Sequence, residues 1–432
     1  MKEKVKFKGY ELNEMPPVKH LLPLSIQHVL LFIAGSLAVP LIIADGAGMN
    51  PEQTTIMIQC MIFVSGIGTM LQAFGFGPVG NKLPTVLGPT FTFLAPAIAI
   101  STVYGYDVFI GASLIGGLVM AFVGTFCIHF IRKLFPPIVL GCVIMVIGIA
   151  LFGVGVDYVA GGSGAAAYGS WQNYLVGGVT MALVIVFNIF GKGFVKGASV
   201  LLAMVVGTIL ALVMGMVDFS SLGSQSWFSM PRPFAFGIRF EAAPIFICII
   251  IYLVNTVEYI GDTSNAALAA ADRLVTPKEL SSGILCDGLT SSLAAVFNVS
   301  PVVTYSANIG LLKLTGVKSR FIVGFAGVLI TVLGFVPKLA QLLALIPMPV
   351  IGGASIVIFG IIATSGIEIL MREKLSERDK LIVAVALAVG LGFNFTPDAL
   401  SQYPYFISAL LKGIPGTAIT ATALNLLLPK NK

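Results

Sequence analysis

The chain is a succession of continuous apolar runs, separated by short connections that are polar or rich in glycine and proline. The runs are roughly 20 residues long, the length a helix needs to cross a bilayer. A transmembrane β-barrel would alternate apolar and polar residues instead. Fourteen apolar segments can be drawn, beginning near Leu22, Thr54, Pro84, Val108, Pro136, Trp171, Lys196, Ala242, Gly283, Pro301, Phe321, Leu339, Lys380 and Pro415. The third, Pro84 to Ile100, and the tenth, Pro301 to Leu314, are short and broken by Gly or Pro. The longest hydrophilic connection, Asp218 to Glu241, is itself partly apolar, so no large soluble domain interrupts the series. The pattern predicts an all-α polytopic membrane protein with 14 transmembrane spans.

Composition agrees with the pattern. Of 432 residues, 57% are hydrophobic and only 10% charged, where a soluble protein carries about 25% charged residues. Mean hydropathy is +0.99. A cytosolic enzyme, a disordered chain and a nucleic-acid binder are excluded. The net charge of +6 is spread over short loops and forms no basic face. With the N-terminus in the cytoplasm, all but four of the 25 Lys and Arg residues fall on the cytoplasmic side, the exceptions being Arg232, Arg239, Lys338 and Lys412. That asymmetry is the one the positive-inside rule requires. It places both termini in the cytoplasm and the chain in the cell membrane. Residues 1–21 read as a retained cytoplasmic tail without a signal-peptide cleavage site. Cys60, Cys127, Cys142, Cys248 and Cys286 lie in or beside apolar spans without CxxC or Cys/His spacing, so neither a disulfide nor a metal is expected.

The chain also repeats itself weakly. FPPIVLGCVIMVIG at 135–148 resembles IPMPVIGGASIVIFG at 346–360, with Pro137 and Pro349 at matching places, and the two broken segments lie about the same interval apart, Phe91 against Ser306. Half a chain holds seven spans, so the two halves must be inverted in the membrane. Inverted repeats with paired broken helices are the mark of a secondary transporter, with its substrate between the breaks near the midplane.

Most Asp and Glu residues lie in loops, but Glu258, Asp262 and Asp287 lie within apolar spans. A charge there costs roughly 3 kcal/mol or more, which makes each a candidate functional residue. Asn255, Glu258, Asp262 and Asn265 fall at i, i+3, i+7 and i+10, a single helical stripe that must face protein or a cavity. For the two asparagines a polar seam between helices is the plainer reading. Two carboxylates one turn apart are more than such a seam needs. Desolvation and a second carboxylate both disfavour the charged form, so such a pair can load and release a proton. A carboxylate is also a strong acceptor for ring N–H donors. His28, after Ser25 and Gln27 in the first span, is either a packing histidine or a titrating one. Gly75 to Gly80 match GxGxxG, but Pro78 and the absence of a later acidic partner mark a turn between spans two and three. No Walker loop, nucleophile–base set or metal spacing appears, so the chain is expected to be no enzyme and to need no cofactor.

Taken together, the motifs resemble the nucleobase–ascorbate transporter family, the uracil/xanthine permease type, over nearly the whole chain. Gln27-His28 matches the family's QH pair. LGPTFTFLAP, Leu87 to Pro96, is similar to its LGSSFAFxxP-type segment. Glu258-Tyr259-Ile260-Gly261-Asp262 is similar to the ExxGD pattern of the purine branch, and Asp287-Gly288 to that branch's aspartate. The signature of the tenth span is met by Ala307-Asn308-Ile309-Gly310, Thr315 and Ser319-Arg320, with Ala307 where Gln or Glu is usual.

The resemblance implies two inverted seven-span repeats, with a short strand in each of spans 3 and 10. It implies a core domain of residues 22–134 and 242–338, and a gate domain of residues 135–217 and 339–428. Glu258 would accept hydrogen bonds from the base, backbone N–H groups near Phe91 and Ser306 would hold its carbonyls, and Ala307 and Asn308 would flank it. His28, Asp262 and Asp287 would serve proton coupling and the core network. The activity implied is proton-coupled import of a nucleobase by a homodimer. Asp262 and Asp287 favour a purine such as xanthine or urate, and Ala307 weakens that preference. A uracil/proton symporter is the alternative. An anion exchanger of the sulfate/bicarbonate type, thought to share the fold, usually carries an appended soluble domain, for which a chain ending at Lys432 leaves no room.

Overall fold

The computed structural model describes residues 10–126, 135–217, 226–304, 312, 318–372 and 375–429. Its helices are α1 (Val18–Ser36), α2 (Ala38–Gly46), α3 (Pro51–Phe74), α4 (Leu94–Tyr104), α5 (Tyr106–Phe126), α6 (Pro137–Ala150), α7 (Phe152–Val159), α8 (Trp171–Phe190), α9 (Phe194–Gly197) and α10 (Ser199–Val213). The second half adds α11 (Ala242–Ala271), α12 (Pro277–Val296), α13 (Arg320–Leu333), α14 (Pro337–Ala344), α15 (Met348–Met371), α16 (Glu377–Phe395), α17 (Tyr405–Leu411) and α18 (Gly413–Leu427). Two strands, β1 (Leu87–Pro89) and β2 (Val302–Thr304), stand where the third and tenth segments are broken. Among the described residues, 7 helices are long and apolar enough to cross a membrane by themselves, or up to 9 if each bent pair is one span.

Each segment read from the sequence has a counterpart, and the tenth is described only through β2 and Leu312. The twelfth starts later than expected. The apolar run from Leu339 belongs to α14, which is bent by 87° from α13, and the long helix begins only at Met348 after Pro347. The GxGxxG stretch is a turn closed by a bridge between Phe76 and Val79. All three of its glycines have positive φ, and a Cβ on Gly80 would strike the Leu71 carbonyl.

Local chemistry sets the helix starts. Asn50 and Gln53 close a capping box on α3, and Thr276 and Glu279 close one on α12, each with proline in the first turn. These are the second and ninth segments, equivalent positions of the two halves.

The packing repeats in the same way. When each segment is exchanged for the one seven places on, α5 against α12 becomes α13 against α3. Likewise α1 on α13 becomes α11 on α5, α8 on α15 becomes α16 on α6, and α10 on α15 becomes α18 on α6. The two halves are thus repeats of one packing pattern, wound into each other. The helices sort into two packed groups. The first holds α1–α5, α11–α14 and both strands, the second α6–α10 and α15–α18, and α1 and α11 run along the boundary.

Small residues let the crossing helices approach, since hydrocarbon gives them no hydrophobic drive to associate. A Cβ on Gly288 would lie 2.5 Å from the Ala121 backbone nitrogen, and one on Gly66 would lie 2.4 Å from that of Thr331. Gly288→Ala should therefore force α5 and α12 apart, at about 1–3 kcal/mol. Nothing lies within 4 Å of a Cβ on Gly178. In thermal unfolding of the detergent-purified protein, Gly288→Ala is expected to lower the midpoint by several degrees and Gly178→Ala to leave it in place.

Candidate functional site

A cavity of about 430 Å³ lies between the two helix groups. The first group contributes Gly35 of α1, the stretch from Gly88 to Thr92, Thr304, and Glu258 and Asp262 of α11. The second contributes isoleucines of α6 and α15, Asn188 of α8, and Lys196, Gly197, Ser199 and Val200 around the start of α10. The second group's side is mostly apolar, with Asn188, Lys196 and Ser199 at the α8 and α10 edge, and both carboxylates stand on the first group's side.

The broken spans build the polar wall. β1 and β2 pair antiparallel, with Leu87 opposite Thr304, Gly88 opposite Val303 and Pro89 opposite Val302. Gly88 is needed because a Cβ would lie 2.8 Å from the Ser36 hydroxyl of α1. After β1 the chain turns through a short 3-10 helix, Phe91–Phe93, into α4. The first turn of that half-helix, capped by the Thr90 side chain, opens on the cavity at Phe91 and Thr92. Such a terminus presents backbone N–H groups and the positive end of the helix dipole.

Glu258 is held from two sides. Thr92 Oγ1 donates to its Oε2 at 3.0 Å and Asn255 Nδ2 donates to the same oxygen at 3.3 Å. No hydrogen bond reaches Oε1 among the described residues, so half of the carboxylate is open to a ligand. Asn255 is thus a buried support for Glu258, as a seam residue would be, and Asn265 does not line the cavity. Asp262 lies one turn further along α11 and does line it.

Asp287 does something different. It is fully buried in α12 and does not line the cavity. Its Oδ2 accepts from the Thr304 backbone N–H at 2.8 Å, and its Oδ1 accepts from Thr304 Oγ1 at 3.0 Å and Gln72 Nε2 at 3.2 Å. Gln72 Oε1 in turn accepts from the Asn81 backbone N–H at 3.2 Å, and Asn81 Nδ2 donates to the Tyr259 hydroxyl at 3.1 Å. The network ties α3, α11 and α12 to β2. On β1 Thr69 Oγ1 accepts from the Leu87 N–H at 3.0 Å, and at the other end of β2 Ser291 Oγ donates to the Val302 carbonyl at 3.0 Å.

Of the residues singled out in the sequence, the structure brings Glu258, Asp262 and Phe91 together at one cavity. His28 is buried in α1 and Asp287 in α12, both off the cavity surface. Ser306, Ala307 and Asn308 lie outside the described residues, as does Cys127. The other four cysteines are buried and free. Sequence reasoning missed Thr92, Gln72, Asn81, Asn188 and Lys196. Thr92 stood beside Phe91 in a quoted motif, and Gln72 was a polar residue in an apolar helix.

Asp287→Asn keeps the shape but sets an amide N–H against Gln72 or Thr304, and a buried group left unpaired costs about 1–3 kcal/mol. It is expected to lower the thermal midpoint of the purified protein, whereas Glu258→Gln, at the cavity surface, should leave that midpoint nearly unchanged.

Residues 19–399 match the sequence model of the Permease family, xanthine/uracil type. The chain is 35% identical to the xanthine permease of Bacillus subtilis, over 94% of this chain and 93% of that one. It is 36% identical to the uric acid permease PucK of the same organism, over 96% of each. Among solved structures, the transmembrane domain of the cyanobacterial bicarbonate transporter BicA superposes with a TM-score of 0.62 at 14% identity, over 90% of this chain and 97% of that one; at that identity the likeness concerns the fold. The family match, the relatives and the motifs agree that this chain is a multi-pass membrane protein belonging to the xanthine/uracil permease, or nucleobase–ascorbate transporter, family.

Proposed function

We propose that the chain imports a purine base, xanthine or urate, together with protons across the cell membrane, with both termini in the cytoplasm. The observation that carries the reading is Glu258, which stands in a cavity between two helix groups with one carboxylate oxygen anchored and the other open. A purine offers ring N–H donors to such an acceptor and carbonyls to the N–H groups at Phe91. The cavity is at the small end of the roughly 300–1,000 Å³ of small-molecule pockets, which suits a two-ring solute without sugar or phosphate. The names of the relatives, xanthine permease and uric acid permease, support the same class.

In this reading the first helix group is the core domain, residues 22–134 and 242–338, which carries the substrate. The second is the gate domain, residues 135–217 and 339–428, against which the core moves, in an assembly of two copies. The cavity reaches Lys196 at the start of the α10 segment and Asp262 in the later part of α11. Under the positive-inside topology that end is cytoplasmic, so the arrangement described is the inward-facing one. Asp262 is the proton site beside Glu258, and His28 and Asp287 hold the core.

Glu258→Gln retains the shape but loses a charged acceptor, worth about 1.5–3 kcal/mol. Binding of labelled xanthine or urate to the purified variant should weaken by roughly tenfold or more, and uptake at matched surface expression should nearly vanish. Near-normal uptake would remove Glu258 from the mechanism. Accumulation should also collapse on adding a protonophore and persist when sodium is replaced by choline; the opposite pattern would refute proton coupling.

A further inference from the structure

The cavity holds a charge that the proposed site leaves unused. Lys196 lines it together with Glu258 and Asp262, and is the only Lys or Arg to do so among the described residues. It sits in the one-turn helix α9, entered through Gly193 at φ +55°, and is exposed. Lys196 belongs to the second helix group, while both carboxylates belong to α11 in the first. In the arrangement described it makes no ion pair with either carboxylate. A loop lysine at a membrane surface commonly points into water or towards lipid headgroups, whereas this one faces the substrate cavity.

Glu258 and Asp262 share a small apolar-walled space, where like charges repel more strongly than in water. A cation in the same space offsets that repulsion. Because it is carried by the other helix group, the offset depends on where the two groups stand. It is greatest when Asp262, one turn beyond Glu258 along α11, is level with the start of α10. An interaction made in one arrangement and lost in the other shifts the balance between them by its differential free energy. We propose that Lys196 is a positioning residue, the gate-side counter-charge of Asp262, and that it favours the arrangement in which the site opens towards the start of α10. The proposal rests on the reading of the chain as a carrier whose two helix groups move past each other.

The test reads the arrangement of the groups without requiring transport. Val200 lines the cavity beside Lys196. A single cysteine placed there, in a background lacking the native cysteines, is labelled with a membrane-impermeant maleimide in inside-out vesicles. Lys196→Gln should slow labelling severalfold, and Lys196→Arg, which keeps the charge and checks folding, should label as the parent does. In an Asp262→Asn background, Lys196→Gln should have little further effect. Unchanged labelling in Lys196→Gln would overturn the proposal, as would an equal slowing in the Asp262→Asn background. Absence of xanthine and urate uptake by the wild type would count against the transport reading, while the labelling comparison would still decide the role of Lys196.

Discussion

A helix broken in the middle of a membrane leaves backbone N–H and C=O groups without partners, at a cost of several kcal/mol each. The rest of this site depends on how that cost is avoided. Each broken span supplies a three-residue strand, and the two strands serve as each other's partners, Leu87 with Thr304 through Pro89 with Val302. The groups left over at the strand ends are met by side chains of the flanking helices: Thr69 on the Leu87 N–H, Asp287 on the Thr304 N–H, and Ser291 on the Val302 carbonyl. Neither half of the chain can make this arrangement alone, so the site needs one strand from each half.

The same constraint separates the carboxylates by role. Asp287 is enclosed and accepts three hydrogen bonds, which makes it a fixed part of the frame. Glu258 is anchored through one oxygen, so it has a set direction and spare acceptor capacity, as recognition of a solute requires. Its wall belongs to one helix group and the mostly apolar wall opposite, with Lys196 at its edge, to the other. In the proposed transport cycle such a site would open or close as the groups shift, while the hydrogen bonds inside the first group stay intact. Close helix crossings at Gly66 and Gly288 hold that group together as a unit.

Much of the fold was legible in the sequence because span length is imposed directly by the bilayer. The broken third and tenth segments were visible as Gly and Pro in apolar runs, and the stripe through Glu258 and Asp262 as a helical period. The late start of the twelfth span was not legible, since the apolar run continues through the bend between α13 and α14 and on into α15, and hydropathy does not register direction. Gln72 was not legible either, since its partner Asp287 is 215 positions away in the chain. Lys196 read as one more loop charge on the basic side. Only the packing of α10 against α1 of the first group shows that it borders the cavity.

The central claim is that Glu258 and the half-helix beginning at Phe91 read one substrate between the two groups. A cryo-EM structure of the purified protein with xanthine bound tests this most directly. The account predicts the base in the cavity beside Phe91, a ring N–H within hydrogen-bond reach of Glu258 Oε1, and a carbonyl facing the backbone amides after β1. A base bound elsewhere, or in this cavity but turned away from Glu258, would contradict it.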